Sequence, residues 1–213
     1  MIRESALIGR LRSRLPAIGD DAAVVAPPAG RLVLCADASV AGLHADLGLV
    51  GMDDFGWKAL VTALSDIAAM GAVPAYALVT VSGKFGASDF DLLFDGLLAA
   101  AVTYGCPVVG GDLTGGGDLV VSVAVVGGLE GEPVRRSGAR AGDTLFVTGP
   151  LGAAAGGLMA LRKGKVGEDI DLALAHRRPR PRLAEGQAAR RAGATAMIDI
   201  SDGLASEVGH LAR

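Results

Sequence analysis

The feature that most constrains this chain is a set of aspartates placed singly or in pairs inside apolar, glycine-flanked stretches. They are Asp20 and Asp21 in AIGDDAAVV, Asp37 in LVLCADASV, Asp66 in ALSDIAAMGA, Asp112 in PVVGGDL, and Asp199 and Asp202 in AMIDISDGL. Those stretches contain no lysine or arginine. A buried carboxylate is costly unless a partner compensates it. Mg²⁺ takes carboxylates together with phosphate oxygens, so the pattern predicts a site for more than one metal ion and a polyphosphate.

Composition sets the broad class. The chain has 213 residues, of which 51% are hydrophobic, 4% aromatic and 32 are glycine. This favours one large or two smaller α/β or α+β domains with close helix–sheet packing. A net charge of −3 gives no general attraction to nucleic acid or to an anionic membrane. No secretory signal or membrane span is visible, and Cys35 and Cys106 are expected to be free thiols, so we expect a soluble cytoplasmic protein.

The first part of the chain alternates strands and helices. Helices are predicted from Asp53 or Asp54 to Met70 and from Asp89 to about Tyr104, the second opened by a capping box of Ser88 and Asp91. The predicted strands are 24–25, 32–37, 75–81, 107–109 and 119–126. Because the order follows no strict βαβα rhythm, a mixed α+β fold is favoured.

The composition of the sequence changes after Gly127-Gly128. We therefore predict a domain boundary near residue 135, giving domains 1–135 and 136–213. Beyond it the sequence predicts strands at 144–148 and 196–200 and helices at about 153–162, 183–191 and after Gly203. Residues 163–182 are predicted to form a polar loop, whose four arginines (177, 178, 180 and 182) are interpreted as solvated. The second domain is small, so we expect a chain shortened from a longer form.

Other polar residues leave alternatives open. Neither G-x-x-x-x-G-K-[ST] nor G-x-G-x-x-G occurs, which argues against a P-loop or Rossmann site. Gly110-Gly111-Asp112 allows backbone N–H groups to approach an anion. Arg136 is a candidate phosphate ligand or a solvated linker charge. His44 is a ligand contact or structural, and Tyr104 stacks on a base or belongs to the core.

Taken in order, several segments closely resemble the thiamine-monophosphate kinase family of the aminoimidazole ribonucleotide synthetase superfamily. They are GDDAAVV, CADASVAGLH, GWKALVTALSDIAAMGAVP, VVGGDLT, RRSGARAGD, VTGPLGAAAGGL, RPRPRLAEGQ and MIDISDGL. The resemblance implies a two-domain α+β fold with a truncated second domain. It also implies an amino-terminal domain that pairs with a second copy in a barrel of strands, and an active site in the cleft between the domains.

The resemblance further implies transfer of the γ-phosphoryl group of ATP to thiamine monophosphate, giving thiamine diphosphate. Asp37 and Asp112 match catalytic positions. The matching magnesium ligands are Asp20, Asp37, Asp66, Asp112, Asp199 and Asp202. The matching nucleotide contacts are Gly111, Asp112, Arg136 and Ser201, with Tyr104 added by our own assignment. His44 matches a contact to the substrate.

Three departures from the family pattern bear on activity. Cys35 and Ala36 stand where the family has hydroxyl residues, Leu113 replaces a common threonine, and the later G-G-E-D-Y-E segment is absent. Two other functions therefore stay open. One is a dimer that binds Mg²⁺ and ATP without kinase activity, and the other is a sister ATP-dependent synthetase of the same superfamily.

Overall fold

A computed structural model describes residues 4–18, 20–165 and 170–213. Helix α1 (Glu4–Leu11) is followed by strand β1 (Arg31–Val40), helix α2 (Met52–Ala69), strand β2 (Val73–Gly83), helix α3 (Ala87–Tyr104), and strands β3 (Val108–Gly115) and β4 (Val120–Leu129). A single 3₁₀ turn covers Arg136–Gly138, and helices α4 (Ala153–Arg162), α5 (Ile170–Arg177), α6 (Leu183–Arg191) and α7 (Leu204–Leu211) complete the described chain. The mixed α+β class is confirmed.

The four strands form one mixed sheet in the order β1-β4-β2-β3. Strand β4 is antiparallel to both β1 and β2, whereas β2 and β3 run parallel. The parallel pair is joined through α3, as a parallel connection requires a crossover. Strands β1 and β3 are therefore the two edges of the sheet.

Helices α2 and α3 provide the core that covers one face of the sheet. Phe55, Leu60, Leu64 and Ile67 of α2 are fully buried with Phe90, Leu93 and Leu97 of α3 and with the alternating valines 121, 123 and 125 of β4. The two helices cross closely because Gly56 and Gly96 lie directly against the backbone carbonyls of Leu93 and Asp53. A Cβ atom at either glycine would overlap the opposing helix.

The opposite face of the sheet is open. Strand residues that alternate with the buried ones lie there, and Leu34 is 68% exposed, with Leu32 and Leu78 also exposed. Leu34 pairs with Val126, and Leu78 pairs with Ala124, so these apolar side chains share one surface across three strands. We call this surface the open sheet face (Leu32, Leu34 and Leu78).

Several predicted elements are wrong. Residues 24–25, 144–148 and 196–200 are not strands, because none of them finds a hydrogen-bonding partner strand among the described residues. The polar loop of residues 163–182 contains helix α5. The predicted capping box is also wrong: α3 begins at Ala87, where the Gly86 N–H donates to Asp89 at 3.4 Å, and Asp91 pairs with Arg10 at 2.5 Å. No helix within the described residues is long and apolar enough to cross a membrane.

Candidate active site

Three of the predicted aspartates come close together although they lie far apart in the chain. Asp37 is on β1, Asp66 is in the last turns of α2, and Asp199 lies between α6 and α7. The pKa of the Cys35 thiol depends on all three. Burial, and then the charges of Asp66, Asp37 and Asp199, raise this pKa to about 12. We call these three residues the acidic triplet (Asp37, Asp66 and Asp199).

The electrostatics of the triplet favour a cation. The pKa of Asp66 is raised, chiefly by burial and then by the charges of Asp199 and Asp37, while the exposed Arg136 acts in the opposite direction. One guanidinium therefore does not offset the repulsion among three carboxylates. A divalent cation would offset it, and carboxylate oxygens are the ligands that Mg²⁺ takes in proteins. The donor set thus fits magnesium chemically.

The geometry of the triplet is not that of a closed metal cage. Within residues 4–18, 20–165 and 170–213, no group of three or more His, Cys, Asp or Glu side chains is close enough to hold a metal ion. Asp37 is itself exposed, and one carboxylate oxygen accepts the Ala38 N–H at 2.7 Å. The carboxylates therefore approach one another without converging on one point.

Asp112 lies apart from the triplet. Asp37 of β1 pairs with Val123 of β4, and Val123 pairs with Val79 of β2. Val79 in turn pairs with Gly111 of β3, so Asp37 and Gly111 lie in the same row across the sheet. Asp112 is one residue further and pairs with the exposed Thr80, which places it on the opposite face. Three strand spacings separate the edge strands, or about 14 Å.

Packing against the neighbouring strand explains why a glycine precedes Asp112. Gly111 lies directly against the carbonyl of Val79, where a Cβ atom would overlap the neighbouring strand. Asp112 and Gly111 are both exposed, so this edge of the sheet offers a carboxylate and backbone groups to solvent.

The turn at residues 201–203 lies just after Asp199. Ser201 and Asp202 are exposed, and Gly203 has a φ of +102°, a left-handed conformation that favours glycine. The Asp202 N–H donates to the Glu207 carboxylate at 3.2 Å, and the Ser201 hydroxyl lies 3.4 Å from the same oxygen. Glu207 is not among the residues predicted from the sequence, although its position in the first turn of a helix behind an S-D-G turn is a usable signal.

The other predicted residues occupy separate positions. Asp20 is exposed in the loop before β1. His44 is exposed, and its Nδ1 accepts the Val40 N–H at 2.9 Å, which leaves the ring hydrogen of the neutral imidazole on Nε2. Gly42, at a φ of +82°, forms the turn that returns His44 toward β1. Neither Asp20 nor His44 is among the charges that shift the pKa of Cys35 or of Asp66.

Tyr104 lines a cavity of about 260 Å³ between the end of α3 and the start of α6. Its ring meets Trp57 edge-on at 5.8 Å between centroids, and it is hydrogen-bonded to Arg180. Burial raises the pKa of Tyr104, and Arg180 opposes that rise. Other side chains at this cavity belong to Arg182, Leu183 and Glu185.

The arginines interpreted as a solvated loop fasten the second part of the chain to the first. Arg178 donates to Asp54 at 2.5 Å and to Asp53 at 2.7 Å, and its guanidinium lies 5.4 Å from the Trp57 ring centroid. Arg177 donates to the Leu49 carbonyl at 2.9 Å.

A further arginine on α6 makes contacts of the same kind. Arg190 donates to the carbonyls of Gly71 at 3.2 Å and Glu130 at 2.8 Å. We call these residues the arginine clamp (Arg177, Arg178 and Arg190). For Arg177 and Arg178 the interpretation as solvated charges was wrong, because a run of arginines in sequence does not show which acids and carbonyls face it.

Comparison with known proteins supports a family assignment. Residues 19–129 match the family model described as AIR synthase related protein, N-terminal domain. Thiamine-monophosphate kinase of Bacillus subtilis (strain 168) is 37% identical over 206 residues, which are 92% of this chain and 63% of that protein. The chain therefore spans less than two thirds of the length of this relative.

Solved structures support the same family assignment. The crystal structure of thiamine-monophosphate kinase from Stenotrophomonas maltophilia K279a has a TM-score of 0.86 and 37% identity, covering 99% of this chain and 72% of that one. AaThiL complexed with AMPPCP and TMP has a TM-score of 0.81 and 32% identity, covering all of this chain and 72% of that one. The shared fold includes part of a second domain. This chain belongs to the thiamine-monophosphate kinase family.

Proposed function

We propose that this chain transfers the γ-phosphoryl group of ATP to thiamine monophosphate, giving thiamine diphosphate. The observation that carries the proposal is the acidic triplet, in which burial first and then the charges of Asp199 and Asp37 raise the pKa of Asp66, an environment that a divalent cation would stabilise. A relative of the same fold binds AMPPCP and TMP, which supports a site for a nucleotide beside a phosphorylated acceptor. The proposal extends to this chain although it spans 63% of the Bacillus subtilis relative.

The acceptor in this reaction needs little activation. A phosphate monoester has a second pKa of about 6, so near neutral pH it is largely a dianion and already nucleophilic. The obstacle is to bring two polyanions into line, which is a problem of positioning and electrostatics. Bound Mg²⁺ would supply the charge neutralisation. The chain's task is to hold the carboxylates, the nucleotide and the acceptor in fixed positions.

The residues proposed for these tasks follow the family motifs. The proposed magnesium ligands are Asp20, Asp37, Asp66, Asp112, Asp199 and Asp202, of which Asp37 and Asp112 serve catalysis. The proposed nucleotide contacts are Gly111, Asp112, Arg136, Ser201 and Tyr104. His44 is proposed to contact the acceptor, with Nε2 as a hydrogen-bond donor. The charge of Arg136 acts to lower the pKa of Asp66, which supports placing the Arg136 guanidinium beside the triplet as a phosphate ligand.

The open sheet face supports a second proposal, that two copies of this chain pair through their sheets. Leu34, at 68% exposure, and its apolar neighbours form a flat surface that a second sheet would cover. Asp112 lies on this same face, so pairing would bring a second copy beside it. Leu34→Asp is expected to convert the dimer to a monomer in analytical ultracentrifugation. Sedimentation of the unmodified chain as a monomer would contradict the proposal.

We further propose that the chain acts in the cytoplasm, with no nucleic-acid or membrane partner, and that a boundary near residue 135 separates its two domains. The net charge of −3 gives no general attraction to nucleic acid or to an anionic membrane. Each phosphate ligand is then held locally by metal ions and by a few basic side chains.

The test is to incubate the 213-residue chain with ATP, Mg²⁺ and thiamine monophosphate and to measure thiamine diphosphate by chromatography. Product that disappears on chelation of Mg²⁺ supports the kinase. Binding of Mg²⁺ and ATP without product supports a binding module, which the partial span of the relatives favours as the second candidate. Turnover of aminoimidazole precursors instead would identify a sister synthetase.

A further inference from the structure

Glu207 is a carboxylate in an unusual place. It lies on α7 and is only 5% exposed, and none of the ion pairs found among the described residues includes it. Its carboxylate oxygen accepts the Asp202 N–H at 3.2 Å and lies 3.4 Å from the Ser201 hydroxyl. Both partners belong to the exposed turn that follows Asp199.

A buried carboxylate is retained at a cost, because removal from water is offset only by the hydrogen bonds it accepts. Here both of those hydrogen bonds come from the turn. The contact is therefore reciprocal: the turn compensates Glu207, and Glu207 fixes the direction of the Asp202 N–H and of the Ser201 hydroxyl. Gly203, with its left-handed φ of +102°, lets the chain leave the turn and enter α7.

We propose that Glu207 is a positioning residue, which fixes the turn of Ser201 and Asp202 beside Asp199 and so orients the proposed cation ligands of this segment. The inference rests on the proposed magnesium chemistry. A glutamate in the first turn of α7 also stabilises the start of this helix, because it accepts an N–H there. The carboxylate also fixes the orientation of the Ser201 hydroxyl and of the Asp202 N–H, which follow Asp199 closely in the chain.

The contact also defines what Ser201 offers. An ionised carboxylate only accepts hydrogen bonds, so the Ser201 hydroxyl hydrogen points to Glu207. The Ser201 oxygen then presents lone pairs to its exposed side. Lone pairs suit a cation or a hydrogen-bond donor and do not suit a phosphate oxygen. Ser201 is thereby expected to meet the proposed nucleotide through its cation or through a hydrogen-bond donor, and not through a phosphate oxygen.

The experiment measures Mn²⁺ binding by electron paramagnetic resonance of the free ion, with the 213-residue chain and without nucleotide. Mn²⁺ is the probe because it takes oxygen ligands as Mg²⁺ does. Glu207→Gln is expected to weaken Mn²⁺ binding about tenfold, the usual effect of losing a residue that orients metal ligands. Ser206→Ala, at an exposed neighbouring position of α7, is the matched control and is expected to change nothing.

Hydrogen exchange and a second variant separate positioning from folding. The Asp202 amide is expected to exchange faster in Glu207→Gln, while amides of β4 keep their protection. If Glu207→Gln does not fold, Glu207→Asp keeps the charge but shortens its reach, and it is expected to weaken Mn²⁺ binding in the same direction.

The outcomes are distinct. Unchanged Mn²⁺ affinity in the folded Glu207 variant overturns the inference and leaves the proposed function standing. Absence of Mn²⁺ binding by the unmodified chain overturns both the metal part of the proposed function and the inference. Mn²⁺ binding without thiamine diphosphate formation removes the kinase proposal, and the comparison of variants still tests Glu207.

Discussion

Arg178 is the residue whose loss we expect to loosen the second part of the chain from the first. Its guanidinium bonds Asp54 at 2.5 Å and Asp53 at 2.7 Å and lies over Trp57. The Asp54 side chain is 14% exposed, so its hydrogen bond is shielded from water. Arg178→Ala would leave that largely buried carboxylate with only Arg177, whose Nε lies 3.9 Å from it.

The magnitude follows from the exposure of each contact. A hydrogen bond to a charged, largely buried group contributes about 2 kcal/mol. The pair with Asp53, 41% exposed, is screened by solvent and adds at most about 0.5 kcal/mol. The cation–π contact adds about 0.5 kcal/mol at such a site. We therefore expect a loss of roughly 2–3 kcal/mol, or about 4–12 °C in Tm for a chain of this size.

Differential scanning calorimetry measures the loss, and a double-mutant cycle with Asp54→Asn assigns it. The coupling free energy of the pair is expected to be about 1–2 kcal/mol. Arg178→Lys is expected to recover less than half of the loss, because an ammonium cannot reach both aspartates as the planar guanidinium does. Arg12→Ala, at an exposed arginine of the turn after α1, serves as the control. A Tm change below about 2 °C for Arg178→Ala would refute the reasoning.

Three further predictions concern the site. Asp112→Asn is expected to lower thiamine diphosphate formation by about 100-fold or more with an unchanged circular dichroism spectrum; full activity would remove Asp112 from the site. Because the folded chain binds the Asp66 proton more tightly than the unfolded chain, the free energy of unfolding falls as pH rises from 3.8 through the raised pKa. Asp66→Asn is therefore expected to raise the metal-free Tm at pH 7 and to abolish the increase in Tm on adding Mg²⁺, and a lower metal-free Tm would contradict this. Cys35 and Cys106, each with a pKa raised to about 12, are expected to resist a thiol reagent at pH 8 until the chain is unfolded, and rapid labelling of the native protein would show otherwise.

Local patterns predicted the elements whose structure depends on local contacts. Helices α4 and α6 were placed with their observed bounds, and α2 was within a residue or two, because apolar spacing and glycine stops act within one helix. The strands predicted at 144–148 and 196–200 are absent because a strand depends on a partner, and their sequences do not say where that partner lies. Phe146 lies in the apolar run 144–148 and is 85% exposed, so an apolar run alone does not show that a strand has a partner.

The candidate site was predictable in residue type and less so in arrangement. The charge pattern identified Asp37, Asp66 and Asp199, and these three do interact. The separation of Asp112 depends on strand order and on a register counted in single residues, neither of which the motif contains. Glu207 was missed because its significance lies in burial, which the sequence of an exposed-looking helix does not reveal.

The triplet and the arginine clamp both involve residues from the two parts of the chain. Asp37 and Asp66 belong to the first part of the chain and Asp199 to the second, so the like charges that, after burial, raise the pKa of Asp66 come from both parts. Arg178 and Arg190 favour docking through hydrogen bonds to the first part of the chain. The proposed metal site and the arginine clamp therefore lie at the same junction. A divalent cation would convert the repulsion among those like charges into attraction and add about 2.7 kcal/mol at a hundredfold excess over its Kd. Assembly of the domains and binding of the cation are thus expected to be coupled, and the clamp is what makes the site available before the cation arrives.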